Sequence, residues 1–299
     1  MKLNRLSLKD KQLLKRFLNL TTHELSVYGF ENIYIWERLF DIYWTVIKNH
    51  LCLFFQDKIG CFLYLPPLGK TSSPEVLDQV FRIMDKFNKN PALSRIENVE
   101  EKDRAFYQDL GYECRYKSSE YLCLRSALAG LKGDRFKSKR SCINYFTKNY
   151  SFEYLDYSCD YKDGCLQLYK DWMKSRKLQD TDPVYKGMLG DNLLCLHVLL
   201  RDYKDLDLIG RVIKIDSRIK GFTFGFRLNK ETFCVLFEIA DLSFKGLSQY
   251  IFRRFCEELK KYRYINIMDD SGLDNLKRVK LSYRPVSLIA SYIVQRKYA

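Results

Sequence analysis

The residues best suited to chemistry in this sequence are acids placed where apolar runs end. Glu238 and Asp241 close "TFCVLFEIAD", and Asp269-Asp270 close "YINIMDD". A carboxylate at such a place can take the proton of an attacking hydroxyl or amine, and a neighbouring cation or phenol can steady the oxyanion that forms. Glu238 is the unusual member, because an ionised carboxylate within an apolar run is costly without a partner. It is expected to act as a general base; a salt-bridged structural glutamate is the other reading. Lys280 and Tyr283, in "LKRVKLSYRP", are the expected catalytic donors. Asp270, Ser271 and Gly272 read as the cap of a short helix, since acids and serines at strand exits commonly serve turns and caps. There is no Gly-x-Ser-x-Gly elbow, no His-x-x-x-Asp signature and no cysteine with a patterned histidine. Direct transfer without a covalent enzyme intermediate fits that pattern. Phosphate-loop and dinucleotide fingerprints are also absent,.

A second set of residues points to polyanions. From Phe136 to Asn149 the chain carries Lys137, Lys139, Arg140 and Lys148 and no acid. At helical spacing Phe136, Ile143, Phe146 and Tyr150 form an apolar side, while Lys137, Arg140, Ser141, Asn144 and Lys148 line another. Such a stripe suits phosphate oxygens. Lys137, Lys139, Arg140, Asn144, Lys277 and Arg284 are the expected polyanion-binding residues. The chain as a whole holds 51 Lys plus Arg against 37 Asp plus Glu, a net charge of +14. That surplus favours nucleic acid, anionic lipid or a phosphorylated cofactor without choosing among them.

Composition narrows the class. The 299 residues are 46% hydrophobic and 15% aromatic, which excludes disorder. No apolar run approaches a membrane span, and the charged start lacks the features of a signal peptide. A cytoplasmic protein is expected. Ten cysteines are scattered without a C-x-x-C pair, and His23, His50 and His197 stand apart. Neither a disulfide framework nor a metal site is expected.

The elements that must position these groups follow from periodicity. A helix is predicted over Leu8–Leu20, then strands "HLCLFFQ" and "IGCFLYLPP", a helix from Pro74, a strand "LSRIENV", a short helix ended by Gly111, and a strand "SEYLCLRS". "NIYIWERLFDIYWTVI" resists assignment. After Ser126 the pattern restarts: one helix over "LAGLKGDRFKSKRSCINYFTKNY", a strand, two helices, three long strands with turns at Asp216-Ser217 and Asn229-Lys230, then helix, strand, short helix and strand. Both halves end in antiparallel strands, helix, strand, short helix, strand. An α+β fold of two tandem modules is expected, at residues 1–126 and 127–299, each a mostly antiparallel mixed sheet flanked by helices.

That order is similar to the GCN-related N-acetyltransferase (GNAT) superfamily, and two such modules in one chain resemble the Fem-type peptidyltransferases and the lysyl-phosphatidylglycerol synthases. The second half is more specific. "LAGLKGDRFKSKRSCINYF", "FGFRLNKETFCVLFEIAD" and "NIMDDSGLDNLKRVKLSYRPV" together resemble the stand-alone branch of the phosphatidylglycerol lysyltransferase C-terminal family. Asp270, Gly272, Leu276, Lys280, Tyr283 and Pro285 match its closing signature, whereas Lys277 replaces the usual Arg and Ser141-Cys142 replaces an Asn region. The resemblance implies an aminoacyl or acyl transferase acting on a lipid or another amine or hydroxyl acceptor, with aminoacyl-tRNA as donor. A standard acetyl-CoA loop is not evident: "EIADLSFKGLSQYIF" offers only Gly246, where the superfamily cradles pyrophosphate with a glycine-rich turn. The alternative is a non-catalytic GNAT-fold protein that binds RNA or an anionic membrane, peripheral to its inner face.

Overall fold

The computed structural model describes residues 2–179 and 182–297. It has two compact units, Met1–Glu120 with Asp269–Asp274 and Leu288–Ala299, and Tyr121–Met268 with Asn275–Ser287. A linear boundary at 126/127 places the last strand in the second module; here that strand belongs to the first unit. It pairs antiparallel with a first-unit strand (Tyr292↔Val99), and Val294 is fully buried in that unit's core. A period-2 apolar strand can complete any open sheet edge, and chain order does not choose which.

The first unit contains β1 (Asn4–Arg5), α1 (Lys11–Leu18), α2 (Phe30–Tyr34), β2 (Asp41–Ile47), β3 (His50–Gln56), β4 (Cys61–Leu63), α3 (Pro74–Phe87), β5 (Arg95–Glu100), α4 (Arg104–Asp109) and most of β6 (Glu113–Leu124). The closing strand β12 (Ser287–Gln295) lies between β5 and β6. β1 to β4 are antiparallel neighbours, and β4 and β5 are parallel. Helix α3 shows how local signals and burial agree. Ser73 Oγ accepts the Val76 amide at 3.4 Å, Pro74 opens the first turn, and Val76, Leu77, Val80, Phe81 and Met84 are all buried. Each such side chain stabilises the fold by about 2 kcal/mol on leaving water. The unassigned aromatic segment becomes α2, a 3-10 turn over Ile35–Arg38 and β2. Aromatic and β-branched residues suit either structure, and the ladder from Ile42↔Phe55 to Ile47↔His50 decides for strand,.

The second unit contains the end of β6, then α5 (Arg125–Gly130), α6 (Lys137–Asn149), β7 (Glu153–Asp156), α7 (Lys162–Gln179), α8 (Pro183–Arg201), β8 (Leu208–Ile215), β9 (Arg218–Arg227), β10 (Thr232–Ala240), α9 (Leu247–Glu258), β11 (Tyr264–Asn266) and most of α10 (Asp274–Leu281). Its strand order is β6-β11-β10-β9-β8-β7, with β10 and β11 parallel. The β8–β9 hairpin turns on Asp216 (φ 47°) and Ser217 (φ 61°), the left-handed pair of a type I′ turn,. One face of β10 packs on α9: Phe233 and Val235 join Phe252 and Phe255, and Ala240 joins Leu247 and Ile251. The single helix expected after Ser126 is two. The chain breaks at Leu131 (φ 45°) and Gly133 (φ 85°), and Arg140 donates to both of their carbonyl oxygens at 2.6 Å.

Candidate functional site

The site lies in the second unit, where two neighbouring strands part. β10 and β11 pair as Thr232↔Tyr264, Phe233↔Ile265 and Cys234↔Asn266, and the ladder stops there. On β10 a register shift between Val235 and Phe237 marks a bulge, which bends the strand and re-aims the side chains after it. β11 turns away at once: the Asn266 side chain accepts the Met268 amide at 2.7 Å, and Met268 has φ 60°. Glu238 lies just past the bulge, opposite Thr223 of β9.

Two cations, Lys139 and Lys280, and two hydroxyl side chains, Ser248 and Tyr283, surround that opening. Ser248, in the first turn of α9, donates its hydroxyl to Glu238 Oε1 at 3.2 Å. Glu238 Oε2 is buried, and among the described residues no donor reaches it. Lys139 Nζ lies 3.5 Å from the centre of the Tyr283 ring and donates to Ser282 Oγ at 2.8 Å. Lys280 Nζ donates to the Ile267 carbonyl at 2.5 Å and lies 5.9 Å from the centre of the Tyr121 ring. Tyr283 is buried edge-on to Phe252 at 4.7 Å.

These surroundings set the protons. Burial pushes the Glu238 carboxyl up to about 8, against the opposing pull of the Ser248 hydrogen bond and of Lys139 and Lys280. Burial pushes the Lys139 ammonium down to about 8, while Cys142 and Glu238 hold it up. Tyr283 is raised well above the ordinary tyrosine value, first by burial and then by Glu238. At pH 7, therefore, Glu238 keeps its proton, Lys139 exchanges its own near neutrality, and Tyr283 stays a neutral phenol with a hydroxyl hydrogen to donate. As a base, Glu238 works in the carboxylate form that appears as pH rises through about 8.

The same shift makes a stability prediction. Glu238 has an ordinary value of 4.5 and a folded value of about 8. The folded chain therefore holds a proton that the unfolded chain loses between those two pH values, and stability falls over that interval. Glu238→Gln removes this loss. Its melting temperature should exceed that of the wild type by a margin that widens from about pH 5 to about pH 8 and then levels. A margin independent of pH in thermal melts would show that Glu238 is ionised in the fold.

The other expected residues are exposed or held in turns and ion pairs. Lys137, Asn144, Lys277 and Arg284 are exposed. Arg140 commits its guanidinium to the carbonyls at the α5–α6 break. Asp270 Oδ1 accepts the Gly272 amide at 3.0 Å, and the Asp270 carbonyl accepts Leu273 N at 2.9 Å, with Ser271 at φ 53° and Gly272 at φ 72°. This closes a turn before α10; the helix itself starts at Asp274. Asp241 is held in a turn and an ion pair, accepting Ser243 and pairing with Lys220 at 2.9 Å. One contributor, Ser248, escaped sequence reasoning, and Lys139, expected as a polyanion contact, stands instead against Tyr283 and Ser282. Ser248 carries no signal beyond a helix start. Lys139 does carry one: it lies three residues after Phe136 and four before Ile143, both buried, so its stem follows the apolar side of α6 rather than the cationic stripe.

Gly246 is accounted for by packing. It has φ 90°, and a Cβ there would stand 2.0 Å from the Cys142 carbonyl oxygen of α6. Among the described residues no group of three or more His, Cys, Asp or Glu could hold a metal ion, and no helix is long and apolar enough to cross a membrane. Seven of the ten cysteines are buried.

The mixed, mostly antiparallel sheet flanked by helices is the fold of tandem GNAT proteins. The chain matches the family described as phosphatidylglycerol lysyltransferase, C-terminal, over residues 19–295, and it belongs to that family. A conserved protein of unknown function from Bacteroides thetaiotaomicron is similar over 99% of this chain and 100% of its own, at 27% identity and a TM-score of 0.88. The L-PGS from Bacillus licheniformis shares the fold at 18% identity and a TM-score of 0.65, covering 97% of this chain and 93% of that one. FemX does so at 9% identity and 0.60, covering 97% of each. No curated protein matches the chain.

Proposed function

We propose that this protein transfers an acyl or aminoacyl group directly from an activated ester to a hydroxyl or amine acceptor, in the opening between β10 and β11. The observation that carries this reading is the buried, unpartnered Oε2 of Glu238 at that opening. A polar atom left so is costly in a folded core, and a ligand hydroxyl or amine would satisfy it. The acceptor attacks the carbonyl carbon of the donor, and the ester C–O bond breaks. The proton released by the acceptor passes to the Glu238 carboxylate and from there to the departing alkoxide. Lys280 and Tyr283 supply the donors that steady the oxyanion. No nucleophilic side chain is needed, so no acyl-enzyme forms.

Membership in a family described as lysyltransferases supports an aminoacyl ester, such as a charged tRNA, as the donor class and a lipid as one acceptor class. The tight packing of Gly246 on α6 gives that glycine a structural reason to be there and supports a donor held elsewhere than on a glycine-rich pyrophosphate turn. The test is incubation of the purified protein with charged tRNA and, separately, acyl-CoA, in the presence of a lipid extract and of soluble amines. Mass spectrometry should show an acceptor heavier by one aminoacyl or acyl group. No mass shift with any donor would overturn the reading.

A further inference from the structure

The first unit holds a hydroxyl, an imidazole and a carboxylate in line, close to where its own parallel strands end. β4 and β5 pair at Leu63↔Ile96. Beyond that pair the Asn98 side chain, on a residue at φ 57°, donates to the Tyr64 carbonyl at 2.9 Å. Glu100 ends β5 and is buried. Its Oε2 lies 2.9 Å from Nδ1 of His23, and Nε2 of His23 lies 3.0 Å from the Thr21 hydroxyl. His23 is buried and stacks on Tyr28 with ring centres 3.8 Å apart, which fixes the plane of the imidazole. Burial raises the Glu100 carboxyl, but the His23 ring, the Glu24 amide and Lys102 outweigh it and hold the carboxyl at about 2. An ionised carboxylate only accepts, so in the neutral ring Nδ1 carries the hydrogen and Nε2 turns its lone pair to the Thr21 hydroxyl. Thr21 is exposed. With His23, Phe17, Leu68, Phe106 and Tyr107 it lines a cavity of about 120 Å³.

We propose that Thr21 is a nucleophile, activated by His23 and aided by Glu100, that takes a short acyl group from an ester and passes it to water. Such a relay is defined by geometry and roles, not by places in the chain. The Thr21 oxygen attacks the ester carbonyl carbon while its proton moves to His23 Nε2. The ester C–O bond then breaks, and the departing alkoxide takes that proton. Water next attacks the acyl-threonine and gives a proton to Nε2, and the Thr21 oxygen recovers it as the acid leaves. Glu100 acts through His23 and is a positioning residue. The cavity holds about four water volumes, which admits an acyl group of a few carbons and excludes a fatty acyl chain. Glu100 also accepts the Glu24 amide at 2.8 Å and pairs with Lys102 at 2.7 Å, which ties the loop after α1 to β5. That tie does not require a hydroxyl facing Nε2 at a cavity.

The test is release of p-nitrophenolate from p-nitrophenyl acetate by the purified full chain, with an acid quench and peptide mass spectrometry. The wild type should turn the ester over and carry an acetyl group on Thr21 in the quenched sample. Thr21→Val keeps the shape of the side chain and removes the nucleophile, so kcat/KM should fall by about 10²- to 10⁴-fold and the adduct should vanish. Thr21→Ser restores a hydroxyl and should retain both. His23→Gln should cause a loss of the same order with Thr21 still in place. Thr21 is exposed, so circular dichroism melts of its two variants should match the wild type. The p-nitrophenyl ester of decanoic acid should react at least about ten-fold less well than the acetate. Undiminished release by Thr21→Val, acetylation confined to lysines, or equal release from the two esters overturns the proposal. Thr21-dependent release should persist in the Glu238→Gln chain, so this result and the transfer reading stand or fall separately.

Discussion

Glu238→Gln should lower kcat/KM for transfer by about 10²- to 10⁴-fold, the range that a positioned acid or base supplies. The amide keeps the size of the side chain and can still accept from Ser248, so the fold and the opening remain. What it cannot do is take a proton. The wild-type kcat/KM should rise with pH toward about 8, because burial holds the Glu238 carboxyl protonated below that value. Below the turn the slope is one decade per pH unit, since one proton must leave. The variant should lack that limb. Lys139→Met gives a second readout, because the Lys139 charge is one of the influences that lower the Glu238 value. Removing it should move the limb to higher pH without abolishing it. A Gln variant with wild-type kcat/KM, or with the same rising limb, would return Glu238 to the role of a structural acid.

Gly246→Ala should strongly destabilise the second unit. The residue has φ 90°, and the new methyl group would stand 2.0 Å from the Cys142 carbonyl oxygen and 3.1 Å from Phe146 Cβ. A backbone atom cannot swing aside as the end of a long side chain can. Relief requires α9 and α6 to separate, and α9 buries Leu247, Ile251, Phe252, Phe255 and Cys256. Strain of this kind together with lost packing costs about 3–5 kcal/mol. At about 2–4 °C per kcal/mol for a chain of this size, the melting temperature should fall by about 10 °C. Gly133 provides the control: its φ is 85°, but a Cβ there would meet nothing within 4 Å. Gly133→Ala should therefore cost only the dihedral strain, about 1–2 kcal/mol. Equal losses for the two variants would show that conformation alone, rather than contact with α6, requires Gly246. Transfer should fall with Gly246→Ala as well, because Ser248, two residues on, holds the Glu238 carboxyl.

The local elements were readable before any contact was known. Proline at the start of α3 with its apolar spacing, the long strands β8 to β10 and the turn at Asp216-Ser217 all rest on forces within a few residues. So does the oddity of Glu238, because an acid among Val, Leu, Phe and Ile is a local contradiction that invites a site. The tandem GNAT order and the family resemblance were carried by the same spacing and by the closing signature. Sequence could not give the partners those elements take. The aromatic stretch before β2 suits helix and strand alike until β3 is beside it. The last strand reads as the end of the second module until its pairing with β5 places it in the first unit. Arg140 reads as one more cation of a stripe until two carbonyls claim it. Lys139 reads as another, until Tyr283 lies under its ammonium at 3.5 Å. The separation has a physical cause. Residue type and periodicity report the faces a segment can bury and the protons a side chain can hold in water. Which faces meet, where a strand ladder stops and how far burial moves a proton depend on atoms distant in the chain, and those only the tertiary structure brings together.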